Sequence, residues 1–150
     1  SLVGSEMCIR DRRRAYLQKH KRVSEYDSEN LMYSVIQEVL AEEVFSSIGC
    51  AVHVSLATLV KNYEPLTEEE RKYAHNPLTH VDFLLFNQMD KQPVLAIEVD
   101  GTGFHEAGSK QAERDIKKNS ILKKCAVPLL RLRTDGSGEK EKIRTALKGE

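Results

Sequence analysis

No apolar run in this chain approaches the roughly 20 residues that a membrane-spanning helix needs, and the N-terminus has no secretory pattern. The expectation is a soluble, intracellular, cytoplasmic chain with no membrane partner. Cysteine is scarce. Cys8, Cys50 and Cys125 show no CxxC or metal-ligand spacing, and an odd number argues against a disulfide framework, so buried or incidental thiols are the simpler reading. There is no internal repeat and no low-complexity segment. At 150 residues, 40% hydrophobic and 31% charged, the chain reads as one globular domain large enough to bury a core.

What the chain does contain is charge sorted by sign, although its formal net charge is zero. Ser24 to Ile48 holds six acids, Glu29 among them, and no Lys or Arg. From Ser109 to Arg133 the sign reverses, with eight bases, including Lys110, Lys117, Lys118 and Arg131, against Glu113 and Asp115. A polyanion can bind such a stretch; a solvated helix face is the competing reading. Residues 1–11 (SLVGSEMCIRD) lack a consistent period, resemble translated sequencing-adapter read-through and are expected to be non-native, the true chain beginning further upstream. Residues 12–23 are basic and read as a linker or a helix, and residues 24–150 as the folded domain.

Within that domain, SEYDSENLMYSVIQEVLAEEVFSSIG reads as a helix with Asp27 or Ser28 as N-cap and Gly49 just past its end. Its apolar stripe is Leu31, Met32, Val35, Ile36, Val39, Leu40 and Val44, and Glu29 points along that stripe rather than away from it. CAVHVSL is a short strand. TEEERKYAHN opens with a Thr67 to Glu70 capping box and forms a short helix ending before Pro77. After the turn GTGFHEAGSK, whose lone GxG is weak evidence for phosphate binding, SKQAERDIKKNSILKKCA is a helix capped by Ser109. Gln111, Asp115, Lys118 and Leu122 fall on one narrow stripe of it. VPLLRLR is a strand, and EKEKIRTALK closes the chain as a helix starting near Ser137 or Gly138.

His80 to His105 is the centre of the pattern. It holds two apolar strands, VDFLLF and PVLAIEVD, joined by a short loop, each with a carboxylate where an apolar residue is expected. If Phe86 pairs with Val94, then Leu84 faces Ala96 and Asp82 faces Glu98, with Cβ atoms roughly 5 Å apart. Two like charges so placed are destabilising unless a cation lies between them or one holds a proton. Mg²⁺, which takes one or two carboxylates and completes its shell with water and phosphate, is the simplest cation. Glu29 is a third acid that could reach such a site, or a first-turn acid favoured by the helix dipole. His53 reads as a sheet-face or edge histidine rather than a ligand, since no second His or Cys lies at ligand spacing; His75 and His80 make no metal motif alone. The order is α-β-β-β-α-β, an α/β sheet flanked by helices, whose active site is expected at one end of the central strands.

Asp82, then Glu98-Val99-Asp100, Gly101 and His105, then QAERDIKKN and PLLRLR, resemble the PD-(D/E)XK or restriction-endonuclease-like superfamily. With SEYDSENLMY, LAIEVDG, QAERD and TDGSGE, the likeness covers Ser24 onward. It is greatest to a nuclease-like domain at the C-terminus of large bacterial helicase-like ATPases, and more distant to very-short-patch repair endonucleases. The resemblance implies a restriction-endonuclease-like core with a mixed central sheet. It implies Mg²⁺ (or Mn²⁺) held by Asp82, Glu98 and Asp100, with Glu29 as the acid of the first core helix. Where the signature has lysine this chain has Asp100, so Lys118 on the following helix is the candidate replacement and His105 the alternative, a general base with a pKa near neutrality. Lys110, Gln111, Lys117 and Arg131 are the candidate nucleic-acid contacts, DNA being favoured over RNA and a linked helicase or ATPase domain the expected partner. The implied activity is metal-assisted phosphodiester hydrolysis, in DNA repair or defence; a decayed module that binds DNA without cutting is the alternative.

Overall fold

The computed structural model describes residues 23–100, 109–133 and 137–149. Cys8, His105 and the glycine turn at 101–108 lie outside the described residues. Helix α1 spans Asp27–Leu40, and its N-cap is Tyr26, not Asp27 or Ser28. Tyr26 supplies no side-chain cap. Instead Asn30 reaches back from the first turn: its Oδ1 accepts from the Val23 and Ser24 amides, and its Nδ2 donates to the Ser24 and Tyr26 carbonyls.

The helix is shorter than its pattern suggests, because a 3₁₀ turn at Glu43–Phe45 follows it and leaves Val44 exposed. Gly49 is not a C-cap. It lies inside β1 (Ile48–Ser55), where an added Cβ would come within 2.9 Å of Phe86 Cζ, so glycine here answers a close approach.

A single helical turn, α2 (Leu56–Leu59), and the helix α3 (Glu68–His75) lead to β2 (His80–Asn87) and β3 (Pro93–Asp100). Helix α4 (Lys110–Lys124) crosses back to β4 (Leu129–Arg133), and α5 (Glu139–Leu147) closes the fold. The α/β architecture is thus a four-stranded mixed sheet in the order β1-β2-β3-β4, antiparallel except where β4 runs parallel to β3. A parallel neighbour needs a crossover, and α4 provides it.

Each sheet face buries its own core. On one side Met32, Ile36 and Val39 of α1 and Ile143 of α5 meet Phe83, Leu85, Leu95 and Ile97. On the other, Ile121 and Leu122 of α4 and Ala74 of α3 meet Leu84 and Ala96. The Thr67 to Glu70 capping box forms as expected, and the same Glu70 carboxylate accepts from Lys124 Nζ at 2.6 Å, tying α3 to α4. Burial alone would push the Glu70 carboxyl up, but hydrogen bonds from Lys124, Ser120 and the Thr67 amide outweigh it and hold the group at about 2.

Cys50 and Cys125 are free, and burial pushes both thiols up, Cys50 to about 12. Among the described residues no helix is long and apolar enough to cross a membrane.

Candidate active site

Strand alternation fails where β1 meets β2. Val52 pairs with Phe83 and Val54 with Val81, but His53 and Asp82, between them, form no ladder pair. His53 has φ 50°, in the left-handed region that residues with a Cβ seldom adopt. Both strands change face across this point: Val52 and Phe83 pack on the α1 side, whereas Val54 and Val81 pack with Leu84 on the α4 side. The irregular pair is left at the end of the sheet, free to turn its side chains toward one another's neighbours.

The β2–β3 pair comes apart at the same level. Leu84 faces Ala96, as the hairpin predicts, but Phe86 faces Pro93 rather than Val94 because the register shifts between Leu85 and Phe86. Ladder pairing stops at Phe83 opposite Ile97. Beyond it the Val99 amide donates to Asp82 Oδ2 at 2.8 Å. A side-chain oxygen thus takes an amide that a strand carbonyl would otherwise hold.

Three acids and a lysine gather in the resulting opening. Glu98, 5% exposed, lies beside Asp82 and is paired with Lys118 from α4. Lys118 Nζ also donates to the His80 carbonyl at 2.8 Å, which fixes its position against β2. Burial, then the hydrogen bond and charge of Asp82, push the Glu98 carboxyl up to about 7, against the opposing pull of Lys118. Glu29, buried in the first turn of α1, meets His53 Nε2 at 2.5 Å. The His53 ring stacks on His80 with centroids 4.8 Å apart, and His80 Nδ1 lies 4.0 Å from Asp82 Oδ1.

On the β4 side, Arg131 sits next to Glu98 in the parallel register. Its guanidinium lies 3.6 Å from both Asp100 Oδ1 and Asp115 Oδ1 and donates to Asn119 Oδ1 at 2.8 Å. Gln111 donates to the same Asp115 at 3.1 Å. The stripe Gln111, Asp115, Lys118, Leu122 is therefore the inner face of α4: its first three members reach the site and Leu122 is buried in the core.

Of the candidate residues, Glu29, Asp82, Glu98, Asp100, Gln111, Lys118 and Arg131 all line one cavity of about 320 Å³. Lys110 and Lys117 line an adjoining groove of about 610 Å³ with Arg114 and Tyr73, and Gln111 and Lys118 border both spaces. His75 stacks on Tyr63, outside the residues lining either space.

A metal ion could be held here. Ligand atoms from Glu29, His53 and Asp82 lie within 4.8 Å of one another, whereas Glu98 and Asp100 each carry a basic partner, Lys118 and Arg131. His53 is the functional candidate that sequence spacing does not reveal. Its companions lie 24 and 29 residues away on other elements, so no local motif exists to find.

No match was found among curated proteins or among solved structures. Residues 24–150 match the family model described as a protein of unknown function, DUF2726, and the chain belongs to that family.

Proposed function

We propose that residues 24–150 form a metal-dependent nuclease domain of the restriction-endonuclease-like kind, acting on the phosphodiester backbone of DNA. The observation that carries this reading is the meeting of Lys118 with Glu98 beside Asp82, at the point where β2 and β3 part. A lysine one helix away thereby stands over the acid pair even though Asp100 occupies its usual place. The donor set suits a divalent cation: carboxylate oxygens with an imidazole in reach, in a polar opening. Asp82, Glu98 and Glu29 would hold the ion, with Asp100 at the rim. When bound it supplies stabilisation of charge on phosphate oxygens and a more acidic water.

The chain's own groups account for the rest. Lys118 restrains Glu98 and places a positive charge where the attacking water's oxygen bonds to phosphorus, its proton passing to solvent, as the P–O bond to the leaving sugar oxygen breaks. The leaving oxygen takes a proton from solvent. Arg131, whose side chain lines the cavity, offers its guanidinium to a phosphate oxygen. Lys110 and Lys117, with Arg114, line the path by which the backbone reaches the cavity, giving binding that is independent of sequence. Linkage to a helicase-like ATPase would deliver the strand.

The test is cleavage of a labelled mixture of single-stranded, duplex and branched DNA by the full chain with Mg²⁺, with Mn²⁺ and with EDTA, beside the Asp82→Ala protein. Metal-dependent products that vanish in the variant support the nuclease. A second reading, a module that binds DNA without cutting, draws on the same ion pairs, since Lys118 and Arg131 already neutralise two of the acids; it predicts salt-sensitive binding by both proteins and no product.

A further inference from the structure

We infer that His53, together with Glu29 and Asp82, forms a mixed imidazole and carboxylate site that takes a first-row transition-metal ion in preference to Mg²⁺. The inference deepens the nuclease reading by naming the ion, and it rests on that reading only in sharing Asp82 and Glu29. Three observations carry it.

The first is convergence. Ligand atoms from α1, β1 and β2 lie within 4.8 Å of one another. Metal–ligand bonds of 2.0–2.1 Å place two ligands of one octahedral ion about 3 Å apart at right angles and about 4 Å apart across it. The cluster needs only small side-chain adjustment to reach that spacing. His53 Nε2 and Glu29 Oε1, already 2.5 Å apart, share a hydrogen bond that the carboxylate oxygen accepts, through the same atoms that would ligate a shared cation.

The second is backbone cost. His53 holds a left-handed conformation inside a strand, and the ladder loses a pair there. Such a conformation is disfavoured for a residue that carries a Cβ. What the conformation achieves is to turn the imidazole toward Glu29, a residue of the other layer.

The third is an orphaned atom. His80 Nδ1 is buried and has no hydrogen-bond partner among the described residues, yet it stands 4.0 Å from Asp82 Oδ1. That distance is too long for a hydrogen bond and suits an ion, or a water on it, between the two groups. A second imidazole, stacked on the first, thus faces the same carboxylate.

Imidazole ligation decides the class of ion. Mg²⁺ takes hard oxygen donors and retains water, whereas nitrogen donors favour later divalent ions in the order Mn²⁺, Fe²⁺, Co²⁺, Ni²⁺. An all-carboxylate site has no comparable preference for nitrogen-loving ions.

The test reads binding, not cleavage. Calorimetric titration of the full chain with Co²⁺, Mn²⁺ and Mg²⁺ is compared with His53→Gln, which keeps a group able to hydrogen-bond to Glu29. Electron spin-echo spectra of the Mn²⁺-loaded wild-type protein report whether nitrogen is coordinated. The expected results are Co²⁺ binding at least tenfold tighter than Mg²⁺, a nitrogen modulation in the wild-type spectrum, and a tenfold or greater loss of Co²⁺ affinity in the variant while Mg²⁺ affinity changes less than threefold. The wild-type spectrum stands on its own if the variant fails to fold. Metal binding without nitrogen modulation, or with equal losses for Co²⁺ and Mg²⁺, overturns the inference and leaves the nuclease reading intact. No binding of any of the three ions overturns both.

Discussion

The carboxylate of Asp82 accepts the backbone amide of Val99 at 2.8 Å, standing in for a strand carbonyl at the level where the β2–β3 ladder stops. The same group that parts the two strands also faces Glu98. Its oxygen is therefore a source of the opening, and its charge a source of the electrostatic tension within it.

Asp82→Asn separates these roles, because the amide oxygen still accepts from Val99 while the charge is gone. The variant is expected to be more stable than the wild type at pH 8 without added metal, by about 1 kcal/mol, the scale of a like-charge pair across strands. It is also expected to lose the rise in melting temperature on adding Mn²⁺ that a ligand of the folded state produces. Denaturant titrations and thermal scans check both; a wild-type metal response in the variant would count against Asp82 as a ligand.

Lys118 and Glu98 are both largely buried, so removing either leaves a charge without its partner. Lys118→Ala is expected to cost about 3 kcal/mol, and adding Glu98→Gln to it should recover at least a third of that loss. A double-mutant cycle by urea unfolding measures the coupling. Additive effects would mean that the two side chains act independently.

Acid sensitivity has a distinct origin. Glu70 is held at about 2 in the folded protein, well below its ordinary range, so the unfolded chain takes up a proton first as pH falls. The stabilisation from its contacts with Lys124, Ser120 and the Thr67 amide is present above about pH 4.5 and is lost between there and about pH 2. In Glu70→Gln that part of the acid slope should disappear. Parallel stability curves for the two proteins from pH 6 to pH 2 would refute this.

Binding of nucleic acid along the groove that holds Lys110, Arg114 and Lys117 should depend steeply on salt. Changing all three to glutamine is expected to reduce the slope of log affinity against log salt by about 2 to 3, close to one counterion per charge. Fluorescence anisotropy at several salt concentrations reads the slope. An unchanged slope would place the polyanion elsewhere on the molecule.

How far the residues alone led is clearest at α4 and at His53. Ser109 as cap, the stripe from Gln111 to Leu122, the capping box at Thr67 and the facing of Leu84 with Ala96 are local or period-driven features, and each appears as expected. The end of α1 did not follow from its apolar period, because a 3₁₀ turn interrupts the helix and the contact between Gly49 and Phe86 belongs to the sheet. The bulge that sets Phe86 against Pro93 is a tertiary choice in the same sense. His53 was hidden for a stronger reason: its role depends on a left-handed backbone that breaks the alternation from which a strand is recognised.

The inner stripe of α4 also acts as a register lock on the whole assembly. A slip of this helix by one turn, about 5.4 Å, would bring Asp115 or Leu122 to the place where Lys118 meets Glu98. In the first case two carboxylates collide in a buried space; in the second an ionised acid is left against methyl groups. Both misfits are penalised more heavily than a surface mismatch would be. The lysine that serves the opening thus also rejects incorrectly seated forms of the crossover, and a chain that has built this cavity has by that fact docked the crossover helix in the right frame.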